Sequence, residues 1–206
     1  MDYPRADRNL STRLSEVTKT PVRLDGNGNP PHIVVTLLDD ELFRCPFIMM
    51  TEPGGAYFDA REAEQLRTYL LKGGFLWADD SWGSLAWDWW VRQIQKALAP
   101  HEYPIVDLSM DHPIFHSLFD IDDVPQTPNV GLWVTAHRTS ERGPDSPKTP
   151  PRGILDREGR VMVFMTHNTD FGDSYEEESV SPDYFRNHSM TGYTIGIDVL
   201  LYAMSH

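Results

Sequence analysis

The chain has 206 residues and one cysteine, Cys45, so no disulfide can form within it. That says little about compartment, because many exported proteins also lack disulfides. No apolar run approaches the ~20 residues a membrane helix needs. The best stretch, residues 195–204, is interrupted by Asp198. Residues 1–9 lack the apolar core of a signal peptide, so the chain as it stands is expected to be soluble and not a secretory precursor. Basic residues are scarce: 18 Lys and Arg against 31 Asp and Glu give a formal charge of -13. Without a basic stripe, nucleic acid and anionic membrane surfaces are excluded as partner classes. Cationic ligands, metals or plain solubility all fit that charge. Internal repeats are absent as well. What is present is 40% hydrophobic residues, 11% aromatics and six Trp, the composition of a folded domain. The length suits one domain over residues 1–206.

Short apolar runs end repeatedly in polar residues. Ile33 to Leu38 ends in Asp39-Asp40, and Phe47 to Met50 ends in Thr51-Glu52. Phe75 to Ala78 ends in Asp79-Asp80-Ser81, and Val161 to Met165 ends in Thr166-His167-Asn168-Thr169-Asp170. If the runs are parallel strands, these clusters share the carboxyl edge of one sheet, where open α/β sheets bind ligands.

Helices are expected between the strands. Leu10, Leu14 and Val17 mark an amphipathic helix over residues 8–18, and Pro21 limits it. Asp59 with Glu62 forms a capping box for a helix carrying Ala63, Leu66, Tyr69 and Leu70, which Gly73-Gly74 ends. Trp87, Trp90, Val91, Ile94 and Leu98 line one face of a helix from about Ser84. Ile105 to Leu108 reads as a short strand leading to Asp111-His112-Pro113, where the Asp can cap a turn. Val130 to Val134 reads as a strand, and a last helix runs from about Gly192 to Met204. Residues 135–153 and 168–190 read as long polar loops of the kind that carry function or stay disordered. The alternation indicates an α/β fold with a mostly parallel sheet.

Lys72-Gly73-Gly74-Phe75-Leu76-Trp77-Ala78-Asp79-Asp80-Ser81-Trp82-Gly83 resembles the bacterial family known as domain of unknown function 4159. So do Tyr3-Pro4-Arg5-Ala6-Asp7-Arg8-Asn9 and Asp111-His112-Pro113-Ile114-Phe115-His116, as well as residues 153–176 and 192–206. The motifs occur in order across nearly the whole chain. The resemblance implies the class I glutamine amidotransferase-like superfamily, near the trehalose-utilisation-like proteins. It also implies a flavodoxin-like, three-layer fold with a mostly parallel central sheet. Family members carry a strand ahead of the Tyr-Pro motif, often behind an export signal. Here the chain begins at Met1-Asp2-Tyr3, so that strand is expected to be missing and localisation is left open.

Several chemistries compete for the polar edge. Thiol-based amidotransfer needs a cysteine at a strand-to-helix turn, yet Cys45 precedes the strand at Phe47, at its amino end. Serine hydrolysis has Ser81-Trp82-Gly83 as half of a nucleophile elbow, with His167 and Asp170 as partners, but Asp79 replaces the first glycine and Ser81 also suits a helix cap. A divalent metal is compatible with the donors Asp39, Asp40, Asp79, Asp80, His167 and Asp170, the best set being Asp40, Asp80, His167 and Asp170. The spacing is not diagnostic, and paired Asp residues also tie down loops. Asp79 and Asp80 point to opposite sides if the strand continues, so one faces the crevice. His112 and His116 are four apart, but Pro113 and their apolar neighbours suit packing. Trp82 and Trp89 could present a stacking platform, whereas Trp87 and Trp90 read as core. Arg138, Arg142 and Arg152 could clamp an anion.

The resulting expectation is a domain that binds a small polar ligand or a protein partner and lacks thiol catalysis. Its ligand residues are Asp40, Glu52, Asp79, Asp80, Trp82, His167, Asn168 and Asp170. The alternative is a metal-assisted or carboxylate-based hydrolase acting on a small polar or carbohydrate-like substrate through Asp80, Ser81, His167 and Asp170.

Overall fold

A computed structural model describes residues 5–206 and centres on a five-stranded sheet of order β1-β2-β5-β4-β3. The strands are β1 (Phe47–Thr51), β2 (Phe75–Asp79), β3 (Ile105–Asp107), β4 (Arg152–Leu155) and β5 (Val161–Met165). β1, β2 and β5 pair in parallel, whereas β4 pairs antiparallel with both β5 and β3. The sheet is therefore mixed, with two parallel and two antiparallel pairings. The antiparallel intruder is β4, formed by residues that read as the end of a polar loop. Asp156 turns the chain back by accepting the Glu158 and Arg160 amides, which makes β4 and β5 a hairpin.

Helices cover both faces. On one side lie α1 (Arg5–Thr18), α5 (Phe171–Glu176) and α7 (Met190–Ser205), around Phe75, Trp77, Phe164 and Phe171. On the other lie α2 (Ala60–Leu71) and α3 (Gly83–Ala97), around Leu76, Ala78, Met162 and Met165. β2 feeds the two cores alternately, the signature of a strand buried on both faces. The capping box of α2 forms as expected: Asp59 accepts the Arg61 and Glu62 amides, and Glu62 accepts the Asp59 amide. In α1, Leu10 and Leu14 are buried but Val17 faces solvent. Tyr3 and Pro4 of the N-terminal motif lie outside the described residues.

Two expected strands do not form. Residues 33–38 join no strand and end in a turn at Leu37–Leu38, with Ile33 67% and Val34 64% exposed and only Val35 and Leu37 packed inward. Asp39 accepts the Thr36 amide at 2.6 Å and closes a turn where a strand end was expected. Residues 32–37 instead border an apolar groove of about 360 Å³ beside edge strand β1. Val130–Ala136 is a helix, α4, despite its β-branched residues. Asn129 accepts the Gly131 amide and Asp173 the Val130 amide, so local capping outweighs the weak strand preference. At the 3₁₀ turn Pro113–Phe115 the cap is His112, not Asp111, and its ring nitrogen accepts the Ile114 amide.

Asp198 does not interrupt α7 but anchors it. It is fully buried and accepts the amides of Ser117, Leu118 and Phe119. Asp198→Ala strands those donors and is expected to cost on the order of 3 kcal/mol in urea denaturation, with Asp198→Asn costing less.

Candidate functional site

Three non-glycine residues adopt left-handed backbone just beyond the parallel strands: Glu52 after β1 (φ 52°), Asp80 after β2 (φ 60°) and Asn168 after β5 (φ 64°). Each costs roughly 1–2 kcal/mol, so a cluster at one edge is a costly local arrangement. Thr51 pairs with Asp79 in register, which sets Glu52 and Asp80 side by side.

Asp79 turns inward. None of its surface is exposed; Thr166 Oγ1 donates to Oδ1, and the Phe171 and Gly172 amides donate to Oδ2 at 2.7 and 3.2 Å. The Trp77 indole N–H donates in turn to Thr166 at 2.8 Å. Burial pushes the Asp79 carboxyl up to about 7 even though these donors pull it down. Its role is to bolt α5 and β5 to β2, so it does not reach the crevice.

Asp170 is 5% exposed and caps α5 by accepting the Asp173 amide at 2.8 Å. Burial, then the neighbouring carboxylates Asp80, Asp173 and Asp79, hold it well above the ordinary carboxylate range. Asp80 accepts the Trp82 indole N–H at 2.8 Å. Ser81 is 4% exposed, and its Oγ has no hydrogen-bond partner among the described residues. That oxygen lies 3.3 Å from where a Cβ on Gly54 would stand, and the same Cβ would meet Ala86 at 2.6 Å; glycine there lets the turn after β1 close over Ser81.

These groups line a cleft of about 950 Å³. Its acids are Glu52, Asp80, Glu141, Asp170, Asp173, Glu176 and Glu177, against one basic lining residue, Arg142. Of the expected ligand residues, Glu52, Asp80, Trp82 and Asp170 come together there, joined by Ser81 from the expected catalytic set. Asp40 does not: with residues 33–38 unpaired, it opens the exposed 3₁₀ turn Asp40–Arg44 ahead of β1. His167 is also outside the lining; its Nε2–H donates to the Gly83 carbonyl at 3.0 Å and its ring packs against Trp87. Burial lowers its pKa, consistent with a neutral ring held in that position. Asn168 ties loops together, accepting the Gly83 amide and donating to the Lys148 carbonyl.

The proposed metal set therefore separates, and no group of three His, Cys, Asp or Glu residues is arranged to hold a metal among the described residues. The serine triad is not assembled either, because His167 is engaged by Gly83. Arg152 is paired to Asp107 and stacked over Trp87, leaving Arg142 as the arginine at the cleft. Trp90 is core, whereas Trp89 is 38% exposed with its indole N–H on the Ala56 carbonyl. His112 packs on Tyr202 and His116 bonds the Met110 carbonyl, so both belong to packing. Sequence reasoning missed Asp173, Glu141, Glu176 and Glu177, which come from stretches that read as loops. The spacing Asp170-x-x-Asp173 is a usable signal, since an Asp three residues ahead of an acid opens a helix.

Two outcomes follow. Ser81→Ala removes a buried hydroxyl with no partner and is expected to raise stability by about 1 kcal/mol, read by urea denaturation. Asp79 and Asp170 both titrate above their unfolded values, Asp79 moving from 3.8 to about 7. Between those values the native state holds more protons than the unfolded chain. Their contribution is therefore largest in acid and is lost as pH rises through the folded pKa. Asp170→Asn keeps the cap but cannot ionise, so relative to wild type it is expected to gain stability as pH rises above the ordinary carboxylate range, read by urea denaturation across pH.

Among the described residues, no helix is long and apolar enough to cross a membrane. A comparison with curated proteins finds no match. Residues 1–204, which include every cleft residue named above, match the family model described as Domain of unknown function (DUF4159), and the chain belongs to that family.

Proposed function

We propose that the domain recognises a small polar ligand in the acidic cleft at the carboxyl edge and does not use thiol chemistry. The observation that carries this reading is the convergence of Glu52, Asp80, Ser81 and Asp170, from the ends of three adjacent parallel strands, on one cavity of ligand size. Cys45 precedes β1, away from the turn where a nucleophile would stand. The parallel trio β1-β2-β5, covered by helices on both faces, supports kinship with flavodoxin-like, class I glutamine amidotransferase-like and trehalose-utilisation-like proteins, and that kinship is part of the same proposal.

A second reading, a carboxylate-based hydrolase, is favoured by one observation. Asp170, whose carboxyl burial and the neighbouring Asp80 hold well above the ordinary range, has the pairing expected of a general acid beside a second carboxyl. A metal-assisted version would have to do without Asp40 and His167.

Thermal shifts with a panel of amines, sugars, polyols and amino acids test the recognition reading. At least one class is expected to raise the midpoint in wild type, and Glu52→Gln and Asp170→Asn to abolish the shift while Glu64→Gln on α2 leaves it intact. Shifts that all survive the cleft substitutions would sink the site. The hydrolase reading predicts turnover of nitrophenyl glycosides or esters that Asp170→Asn removes; no turnover in wild type removes that reading.

A further inference from the structure

We infer that the cleft's occupant is a small organic cation bearing a primary ammonium group, held by Asp80, Asp170 and Ser81 with Glu52 adding charge from β1. This rests on reading the cleft as a ligand site and goes further by naming the ligand's chemistry.

The first argument is exclusion of anions. Backbone amides at helix starts are the usual anion donors of such an edge, and here the chain's own side chains occupy them. Ser84 donates to Asp145 and Gly83 to Asn168 at the start of α3. Phe171 and Gly172 donate to Asp79, and Asp173 donates to Asp170, at the start of α5. An anion would find Arg142 facing seven acidic residues.

The second argument is the acceptor set. Ser81 Oγ is buried against the cleft without a partner, a state that costs free energy unless something else supplies the hydrogen bond. An ammonium carries three N–H donors and no acceptor. Asp80, Ser81 and Asp170 offer an oxygen each, and the Trp82 indole N–H holds the Asp80 carboxylate in place at 2.8 Å. A bare metal ion needs donors converging at coordination distance, and no such group exists among the described residues. Hydrogen bonds to an ammonium tolerate the looser arrangement seen here.

Isothermal titration of the full chain with 1,4-diaminobutane and glucosamine, beside the neutral isosteres 1,4-butanediol and glucose, tests the inference. The amines are expected to bind and the isosteres not. Asp80→Asn, which keeps the left-handed backbone preference, is expected to weaken amine binding about tenfold, and Ser81→Ala a few-fold. Magnesium and calcium chloride are titrated in parallel. If an isostere binds as tightly as its amine with the same sensitivity to the variants, the ammonium assignment falls while the cleft reading stands. Tighter metal binding with that sensitivity also overturns it. If no probe binds, or the amines bind and ignore every cleft substitution, the inference falls; should the cleft substitutions also leave every thermal shift untouched, the recognition reading falls with it.

Discussion

Asp79 ends β2 with no exposed surface, and its two oxygens collect bonds from two other elements. Thr166, just past β5, gives a hydroxyl, and the first turn of α5 gives two amides. A carboxyl without water is costly, and four or so donors only partly offset its desolvation, which is why it still titrates near 7. The arrangement holds because α5 has its own unsatisfied amides to place. β2, β5 and α5 therefore meet at one point, and the positions of Asp80, Asn168 and Asp170 follow from it.

The same economy recurs around the edge. α3 begins at Gly83, where φ is +82° and a Cβ would stand 2.5 Å from the Asp145 carboxylate. Glycine there lets Asp145 reach the Ser84 amide, and Asn168 takes the Gly83 amide. Asp173 accepts from Asn129 and Val130 and so fastens α4 over the cleft. Each helix start that could have gripped a phosphate is closed by a side chain from the same chain. Two of the acids that do this, Asp170 and Asp173, also line the cleft, so part of its negative charge also serves to hold the fold.

Much of this was legible in the sequence, and the reason is physical. Continuous apolar runs such as Phe75 to Ala78 and Val161 to Met165 read as strands buried on both faces, and both form. Their polar ends mark the edge. Ile33 to Leu38 has the same composition but lies outside the sheet, because hydropathy does not encode the Asp39–Thr36 turn that closes it. Asp40 lost its place with that strand. Residues 130–134 looked like a strand because β-branched residues favour one weakly, yet two side-chain caps decide for helix. β4 hid inside a Pro- and Arg-rich stretch, since a hairpin strand of four residues needs little pattern of its own. The expectation for Asp79 and Asp80 assumed a strand running through both, but β2 ends at Asp79, and the left-handed turn at Asp80 is what brings Asp80 to the cleft.

Strain and unmet hydrogen bonding coincide at this edge. Glu52, Asp80 and Asn168 hold backbone conformations that side chains disfavour, and Ser81 Oγ, next in chain to Asp80, has no partner among the described residues. Elsewhere the fold satisfies its buried acids thoroughly, as with the three amides on Asp198. Five other buried atoms among the described residues also lack a partner, Arg8 Nε, Trp90 Nε1, Thr127 Oγ1, His188 Nε2 and Ser189 Oγ, but of the six residues only Ser81 lines the cleft. An unpartnered hydroxyl beside a carboxyl pair, under a glycine that approaches closely, is the arrangement that the proposed recognition of a donor-rich ligand calls for. In that proposal the stability given up locally is the counterpart of ligand affinity.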